Sequence, residues 1–377
     1  MMRRFGHIIA VLVALAAAFA CQRRPLENLE SATSRVIVKC LWEVSVYPDG
    51  IKPDGISLYF FRDGEYYSSI TTSNVDSCEV QLPVGRYKMY MINQSPEEYW
   101  RETFQNMTSF DNASASLTET SVRWVTRSDD EAIVENPDKL ICAGVSQEFE
   151  ITQEMTEEYQ YYYSTWKSIR ARNGHSTTRA GEGGSGDPEE DYYHERVQYY
   201  TIRIPIYPKN IVSQLWVTIY AGNVGALQSM RAFNSGMART WELTRETTAS
   251  ERAIQLINAS QWTLTYDDRP LGIGHVDGII TTFGLPDGEQ PSATRDSTLN
   301  VSALLVDNST VANYTFNVGD KMQVLEPNPG YRNLYRLVFG SATEPIITFP
   351  DVRPEGGGGF TGSVEDWEEE IEVNMRL

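Results

Sequence analysis

Histidines, cysteine clusters and paired carboxylates build most catalytic and metal sites, and this 377-residue chain offers few at useful spacing. Its four histidines are His7, His175, His194 and His275, and none has a second histidine or a cysteine at metal-ligand spacing. His275, between glycines in "LGIGHVDG", reads as a loop or strand residue. Acidic pairs such as Asp267-Asp268 and the run "EDWEEE" could in principle cleave a glycosidic bond, one carboxyl protonating the leaving oxygen and the other attacking. In a chain with 51 acidic residues such pairs read more simply as turns and solvated faces. Calcium-loop spacing is absent. Gly357 to Gly362 fits G-x-G-x-x-G literally, but no strand leads in and no helix follows to receive a phosphate. No Walker loop or nucleophile elbow is present. The sequence therefore assigns no catalytic residue, no metal ligand and no cofactor, and it predicts a non-enzymatic protein.

The chemistry that does stand out is at Cys21. Arg3 and Arg4 precede an apolar run from Ile8 to Ala20, shorter than the roughly 20 residues of a spanning helix. A basic start, a short apolar middle and small residues before the break predict a secretory signal over 1–20. Ala18-Phe19-Ala20-Cys21 resembles a bacterial lipobox, with Phe19 where a small or aliphatic residue is usual. The resemblance makes Cys21 a diacylated, palmitate-type anchor. Gln22 after it, rather than an aspartate, points by family convention to the outer membrane rather than retention at the inner one. Ordinary cleavage after Ala20, leaving a free N-terminal thiol, is the alternative.

Removal of 1–20 would take the formal charge from −19 to −21. Such a surface repels phosphates, which excludes nucleic acid as a partner. Cys40, Cys78 and Cys142 remain, an odd count that argues against a disulfide-stapled scaffold and leaves their pairing open.

The elements that would carry any site read as strands. In "VIVKCLWEVSV", Val36, Val38, Cys40, Trp42, Val44 and Val46 share one parity, so one face is predicted buried. "ISLYFF" and "EYYSSI" flank Arg62-Asp63-Gly64, a hairpin signal because Asp-Gly accepts positive φ. "CEVQLPVGRYKMYMI" reads as strand, corner at Pro83 and Gly85, and strand. The first β region closes near residue 155. The polar stretch 156–196 reads as a flexible linker or long loop, with tyrosines on both flanks: Tyr159, Tyr161, Tyr162 and Tyr163, then Tyr192, Tyr193, Tyr199 and Tyr200. Those tyrosines are read as strand residues covering a domain junction or, alternatively, as a sugar-stacking surface. A second β region runs from "YYTIRIPIYP" to the C-terminal "EIEVNMRL", where Ile371, Val373, Met375 and Leu377 alternate with polar residues. Asp296-Ser297-Thr298 resembles a short bacterial O-glycosylation acceptor. The predicted division is signal 1–20, lipidated leader 21–34, β-sandwich 35–155, linker 156–196 and β-sandwich 197–377.

Several motifs together, "CQRRPLE", "LPVGRYKMYMINQS", "FNSGMA", "TTFGLP", "LLVDNST", "FNVGD" and "GFTGSVEDWEEE", resemble a Bacteroidales lipoprotein family of unknown function grouped with the fimbrillins and their anchors. The resemblance implies an all-β chain of two tandem transthyretin-like Greek-key sandwiches. It also implies a lipid-anchored surface protein with a part in fimbria assembly or adhesion, as an anchor or accessory subunit. Its partners would be the outer membrane and other fimbrial subunits, joined when a strand of one completes a sheet of another. On that pattern Ile371, Val373, Met375 and Leu377 would be a donor strand, and Arg35 or Arg62 would be processing sites. Cutting at Arg35, placed before the first strand, would remove only the leader, whereas cutting at Arg62 would open a groove. Each arginine also reads as a surface residue. A glycan-binding surface lipoprotein is the alternative function.

Overall fold

The computed structural model describes residues 32–42, 52–125, 131–174, 186–288, 290–292 and 296–353 in full, and the backbone of 371–376. The fold class is all-β, with strands packed in sandwich fashion and two α-helices added. The chain divides into two compact units that interleave along the sequence. One takes the described residues up to Ile37, then Glu79–Gly85 and Glu150–Arg203; the other takes Val38–Cys78, Arg86–Phe149 and Ile204–Leu377. This differs from the expected serial division at 35–155 and 197–377.

The first unit holds the helices, Gln153–Arg172 and Pro188–Tyr199, in the stretch expected to be linker or loop. The local chemistry explains them. The Thr152 hydroxyl accepts the Met155 N–H at 3.2 Å, capping the first helix. Asp187 accepts the Glu189 N–H at 2.9 Å, Pro188 opens the second helix, and Glu189, Glu190 and Asp191 meet its positive end. Tyr159, Trp166 and Val197 are buried between the helices, with Tyr162, Tyr163, Tyr193 and Tyr200 packed around them. Beside that core, over the Trp166 ring, the Arg170 guanidinium pairs with buried Glu190 at 3.0 Å, and Asn173 donates to Glu190 and Asp187 at 3.0 and 2.6 Å. The strand Thr33–Cys40 lies between Ile202–Ile206 and Ser77–Pro83 in a three-stranded sheet. Ser34, Val36, Val38 and Cys40 are buried along it, the parity predicted from sequence. The Gln160 side chain donates to the Thr33 carbonyl at 2.6 Å, and the Ser34 and Thr156 hydroxyls lie 3.1 Å apart.

The second unit contains two sandwich cores. In one, a sheet ordered Lys209–Asn210, Cys142–Val145, Gly85–Asn93, Ile56–Arg62, Glu65–Thr72 faces a sheet of Thr247–Thr248, Thr240–Glu242, Ser114–Leu117 and Glu102–Gln105. Tyr59, Phe61, Tyr90 and Ile92 pack there against Ala115, Leu117, Trp241 and Leu243. In the other, the sheet Trp262–Asp268, Ile273–Thr282, Ser213–Gly222, Leu334–Phe339, Gln323–Leu325 faces Ile371–Arg376, Thr310–Asn317, Thr298–Leu305, Leu227–Ala238, Arg252–Ile257, Ala132–Val134. Leu215, Val217, Ile219 and Leu337 meet Val301, Ala303, Ala312 and Tyr314 across that core. Period-two burial along each strand places these side chains on the inner faces.

Two strands cross over between the sandwiches. Thr240–Glu242, late in the chain, pairs antiparallel with Ser114–Leu117, Trp241 opposite Ala115. Ala132–Val134, early in the chain, pairs parallel with Arg252–Ile257, Ala253 opposite Ala132. The two cores are thus stitched through backbone hydrogen bonds rather than strung on a linker.

Candidate functional site

The strand Ile56–Arg62 turns into Glu65–Thr72 through Asp63 and Gly64, with φ of 51° and 89°. That left-handed pair is the two-residue hairpin turn read from Asp-Gly. The Asp63 carboxylate accepts the Arg86 backbone N–H at 3.2 Å, fixing the turn against Gly85–Asn93. Phe61 stands opposite Lys88 in this ladder, and Arg62 opposite Tyr87. Phe110, in the short turn Phe110–Asn112, packs edge-on to buried Phe61 with ring centres 5.4 Å apart.

These elements enclose a cavity of about 380 Å³ bounded by Asp63, Arg86, Lys88, Phe110, Asp111 and Glu148. Arg86 and Lys88 share a parity, so both cations lie on one side of their strand. The Lys88 ammonium sits 3.7 Å from Glu148 and 5.4 Å from the centre of the Phe110 ring. The Arg86 guanidinium makes neither hydrogen bond nor ion pair among the described residues. The cavity therefore presents a planar cationic fork, several carboxylate acceptors and an aromatic wall. Sequence reading marked the Asp63-Gly64 turn and missed the cavity. The signal was the alternation of Arg86 and Lys88 in "GRYK", which faces the turn once the hairpin register is known.

Of the expected site residues, Cys21 and Leu377 lie outside the described residues. Arg35 is not ahead of the first strand but inside Thr33–Cys40, its guanidinium 2.6 Å from Glu79. A cut there would sever a hydrogen-bonded strand. Arg62 ends Ile56–Arg62, 3.6 Å from the Asp63 carboxylate. Ile56–Arg62 pairs on both sides, with Glu65–Thr72 and Gly85–Asn93. A cut after Arg62 would therefore free two interior strands, Thr33–Cys40 and Ile56–Arg62, not one. The backbone of Ile371–Arg376 pairs in parallel with Thr310–Asn317, with Ile371, Val373 and Met375 opposite Thr310, Ala312 and Tyr314. Among the described residues it occupies the edge of its sheet.

His275 is a strand residue, on Ile273–Thr282. Its Nδ1 lies 2.8 Å from Asp267 Oδ2 and its Nε2 lies 3.5 Å from Asp277, which also accepts the Thr218 hydroxyl at 2.6 Å. Both ring nitrogens face carboxylates, which orients the imidazole. Asp267, one of the acidic pair noted in sequence, is thus a partner to this ring. Among the described residues no group of three His, Cys, Asp or Glu side chains is placed to hold a metal ion.

The tyrosines lie on or at the end of the two helices, not on strands as expected. The stacked pairs, Tyr159 with Tyr163 and Tyr162 with Tyr200, lie within the helical hairpin. The exposed rings of Tyr161, Tyr192 and Tyr199 instead stand edge-on to their neighbours, at 77°, 85° and 86°. Cys40, Cys78 and Cys142 are buried thiols, and burial pushes Cys40 up to about 12, far from thiolate reactivity. Ser297, the residue of Asp296-Ser297-Thr298 that would accept a glycan, is buried and donates to the Ser235 carbonyl at 2.5 Å. Its hydroxyl is engaged in the folded chain.

Comparison with solved structures finds distant likenesses. A candidate adhesin from Bacteroides ovatus is 14% identical, covering 91% of this chain and 93% of its own, with a TM-score of 0.46. The fimbrial anchor protein Mfa2 from Porphyromonas gingivalis is 11% identical, covering 81% and 90%, at 0.42. A candidate polysaccharide-binding protein from Bacteroides thetaiotaomicron is 10% identical, covering 82% and 93%, at 0.41. No curated protein matches. The family model of the domain of unknown function DUF5119 matches residues 20–258. That span runs past the helical hairpin to the Arg252–Ile257 strand, taking in both crossed-over strands. The chain belongs to the DUF5119 family.

Proposed function

We propose that this protein is a non-enzymatic, lipid-anchored cell-surface protein that serves adhesion or fimbria assembly as an anchor or accessory subunit. The observation that carries the reading is the seat of Ile371–Arg376. A strand at a sheet edge, held by backbone hydrogen bonds, is the kind of element that can be exchanged for a strand of another subunit. The parallel ladder makes that exchange physically simple, because leaving it costs one row of hydrogen bonds and exposes Thr310–Asn317 as a template. Cys21 supports attachment to the outer membrane through its lipid, with the folded units facing the exterior. The positions of Arg35 and Arg62 favour a subunit that keeps its N-terminal strands, since a cut at Arg35 falls inside a paired strand and a cut after Arg62 detaches strands that lie inside their sheets. That favours anchor or accessory over polymerising stalk.

Intact mass and surface-protease accessibility of the protein in its native membrane test this. A full-length, diacylated species shaved from whole cells is expected. A delipidated species cut at Arg35 or Arg62 and found in high-mass ladders would mean a stalk subunit instead. An intact, unmodified Cys21 in the periplasm would overturn the reading.

A further inference from the structure

The cavity beside the Asp63-Gly64 turn has a composition that the assembly reading does not use. Its volume of about 380 Å³ falls within the range of small-molecule sites and suits one sugar residue with part of its neighbour. Its charge is divided. Arg86 and Lys88 stand two residues apart on one strand, roughly 7 Å by strand rise. Both are exposed. Against these two cations stand Asp63, Asp111 and Glu148, so the lining as a whole stays acidic and an anion can be held only locally, at a cation. Lys88 is loosely held, at 3.7 Å from a half-exposed Glu148, so its pairing is weak. Arg86 presents the planar fork that fits a carboxylate through two parallel hydrogen bonds.

The rest of the wall limits what the anion can be. Asp63, Asp111 and Glu148 ring the same space, and they would repel a dianionic phosphate. A single carboxylate placed on Arg86 meets less of that repulsion, while exposed Asp111 and Glu148 accept from hydroxyl groups. Phe110, braced on Phe61, supplies an apolar wall for the C–H face of a ring. Carboxylate, hydroxyls and an apolar ring face in one small molecule describe an acidic sugar.

We propose that the cavity between the Asp63-Gly64 turn, Arg86 and Asp111 binds a carboxylate-bearing sugar of a glycan, with Arg86 holding the carboxylate. This goes beyond the assembly reading and does not rest on it, because binding requires neither lipid nor a second subunit. A cut after Arg62 would separate Phe61 from Asp63 and so open the wall of the same cavity.

The test is titration of the purified full-length chain with glucuronate, N-acetylneuraminate, methyl glucoside and the carboxylate control acetyl-glycyl-glycine, read by saturation-transfer NMR and calorimetry. At least one acidic sugar is expected to bind, with methyl glucoside weaker by about tenfold or more through loss of one charged hydrogen-bonding interaction. The peptide should be weaker by a similar factor, because it keeps the carboxylate but lacks the ring face and hydroxyls. Arg86→Gln should weaken the acidic sugar by a similar factor with an unchanged melting curve, since Arg86 is exposed. Arg35→Gln, in the other unit, should leave binding as it is. Absence of binding by both acidic sugars, equal binding of methyl glucoside or of the peptide, or an Arg86→Gln variant that binds normally would each overturn the proposal. None of these outcomes changes the lipidation and shaving result, so the two readings fail separately.

Discussion

The helical hairpin and the sandwich of the second unit are built on opposite principles. The larger sandwich core is mainly aliphatic, with rings such as Tyr314 and Phe316 among Leu215, Val217, Ile219, Val301 and Leu337. It lies between two sheets whose strands are each hydrogen-bonded to their neighbours. The hairpin core is aromatic and rimmed with charge, with Tyr159 and Trp166 at its centre and Arg170, Glu190, Asn173 and Asp187 closing one end. In the sandwich, order comes from many long-range backbone pairings plus burial. In the hairpin, it comes from a few rings and one polar clasp, so single side chains there decide whether a whole element persists.

Four substitutions or titrations sharpen this contrast. Leu337→Ala removes a fully buried side chain from the sandwich and should cost about 2–5 kcal/mol, seen as loss of amide protection in both facing sheets. Next is Glu102, which is buried on Glu102–Gln105. Its Oε1 accepts the Asp138 N–H at 2.7 Å, and its Oε2 accepts nothing among the described residues. Burial, reinforced by the Asp138 charge, pushes its carboxyl up to about 7, against the counter-pull of the Asp138 N–H and Arg101. A carboxyl raised on folding stabilises most below its unfolded value near 4.5, and that contribution is lost as pH rises toward 7, by at most about 3 kcal/mol. Chemical denaturation between pH 4 and pH 8 should show this slope, and Glu102→Gln should flatten it.

In the hairpin, Glu190→Ala removes the carboxylate that pairs with Arg170 beside Trp166 and should cost about 2 kcal/mol, less than a wholly buried pair because Arg170 keeps some solvent. Its signature is selective loss of helical circular dichroism, with protection in the sandwich retained. Equal loss in both regions would show that they unfold as one. The smallest effect is expected at Asp187. Its N-cap bond to Glu189, then its bond from Asn173, hold its carboxyl below 3.8. A depressed carboxyl stabilises above its unfolded value and loses that contribution as pH falls through the folded one. The hairpin should therefore weaken in acid below about pH 4, in the opposite direction from the Glu102 region. Helical signal followed from pH 5 to pH 2 would show it, and Asp187→Asn should blunt it.

What the sequence disclosed was what local chemistry decides. Asp63-Gly64 marked its turn because only a few residues accept positive φ, and the parity of Val36, Val38 and Cys40 marked a half-buried strand. The helices were hidden because a helix with tyrosines for a core and glutamates between them looks polar by composition and strand-like by aromatic content. Yet Asp187-Pro188-Glu189-Glu190 is an N-cap, a first-turn proline and an acidic first turn in sequence, and it marks a helix start. Tyr159, Tyr163, Trp166 and Ile169, at spacings of four, three and three, trace one helical face. The strand crossings could not be read, because Thr240–Glu242 and Ala132–Val134 look like any short strands and their partners are set by pairing far along the chain. The cavity was hidden for the same reason: Asp63, Arg86 and Asp111 meet only through sheet register.

The parallel pairing of Ile371–Arg376 with Thr310–Asn317 also has a timing. During synthesis Thr310–Asn317 emerges well before the strand that covers it, so a nascent chain presents a bare ladder of N–H and C=O groups beside an already formed sheet. Parallel pairing across a long intervening segment is slow to close. Until the late strand arrives that edge is an open template, and whichever strand reaches it first, the chain's own or another's, sets the form in which the molecule finishes folding.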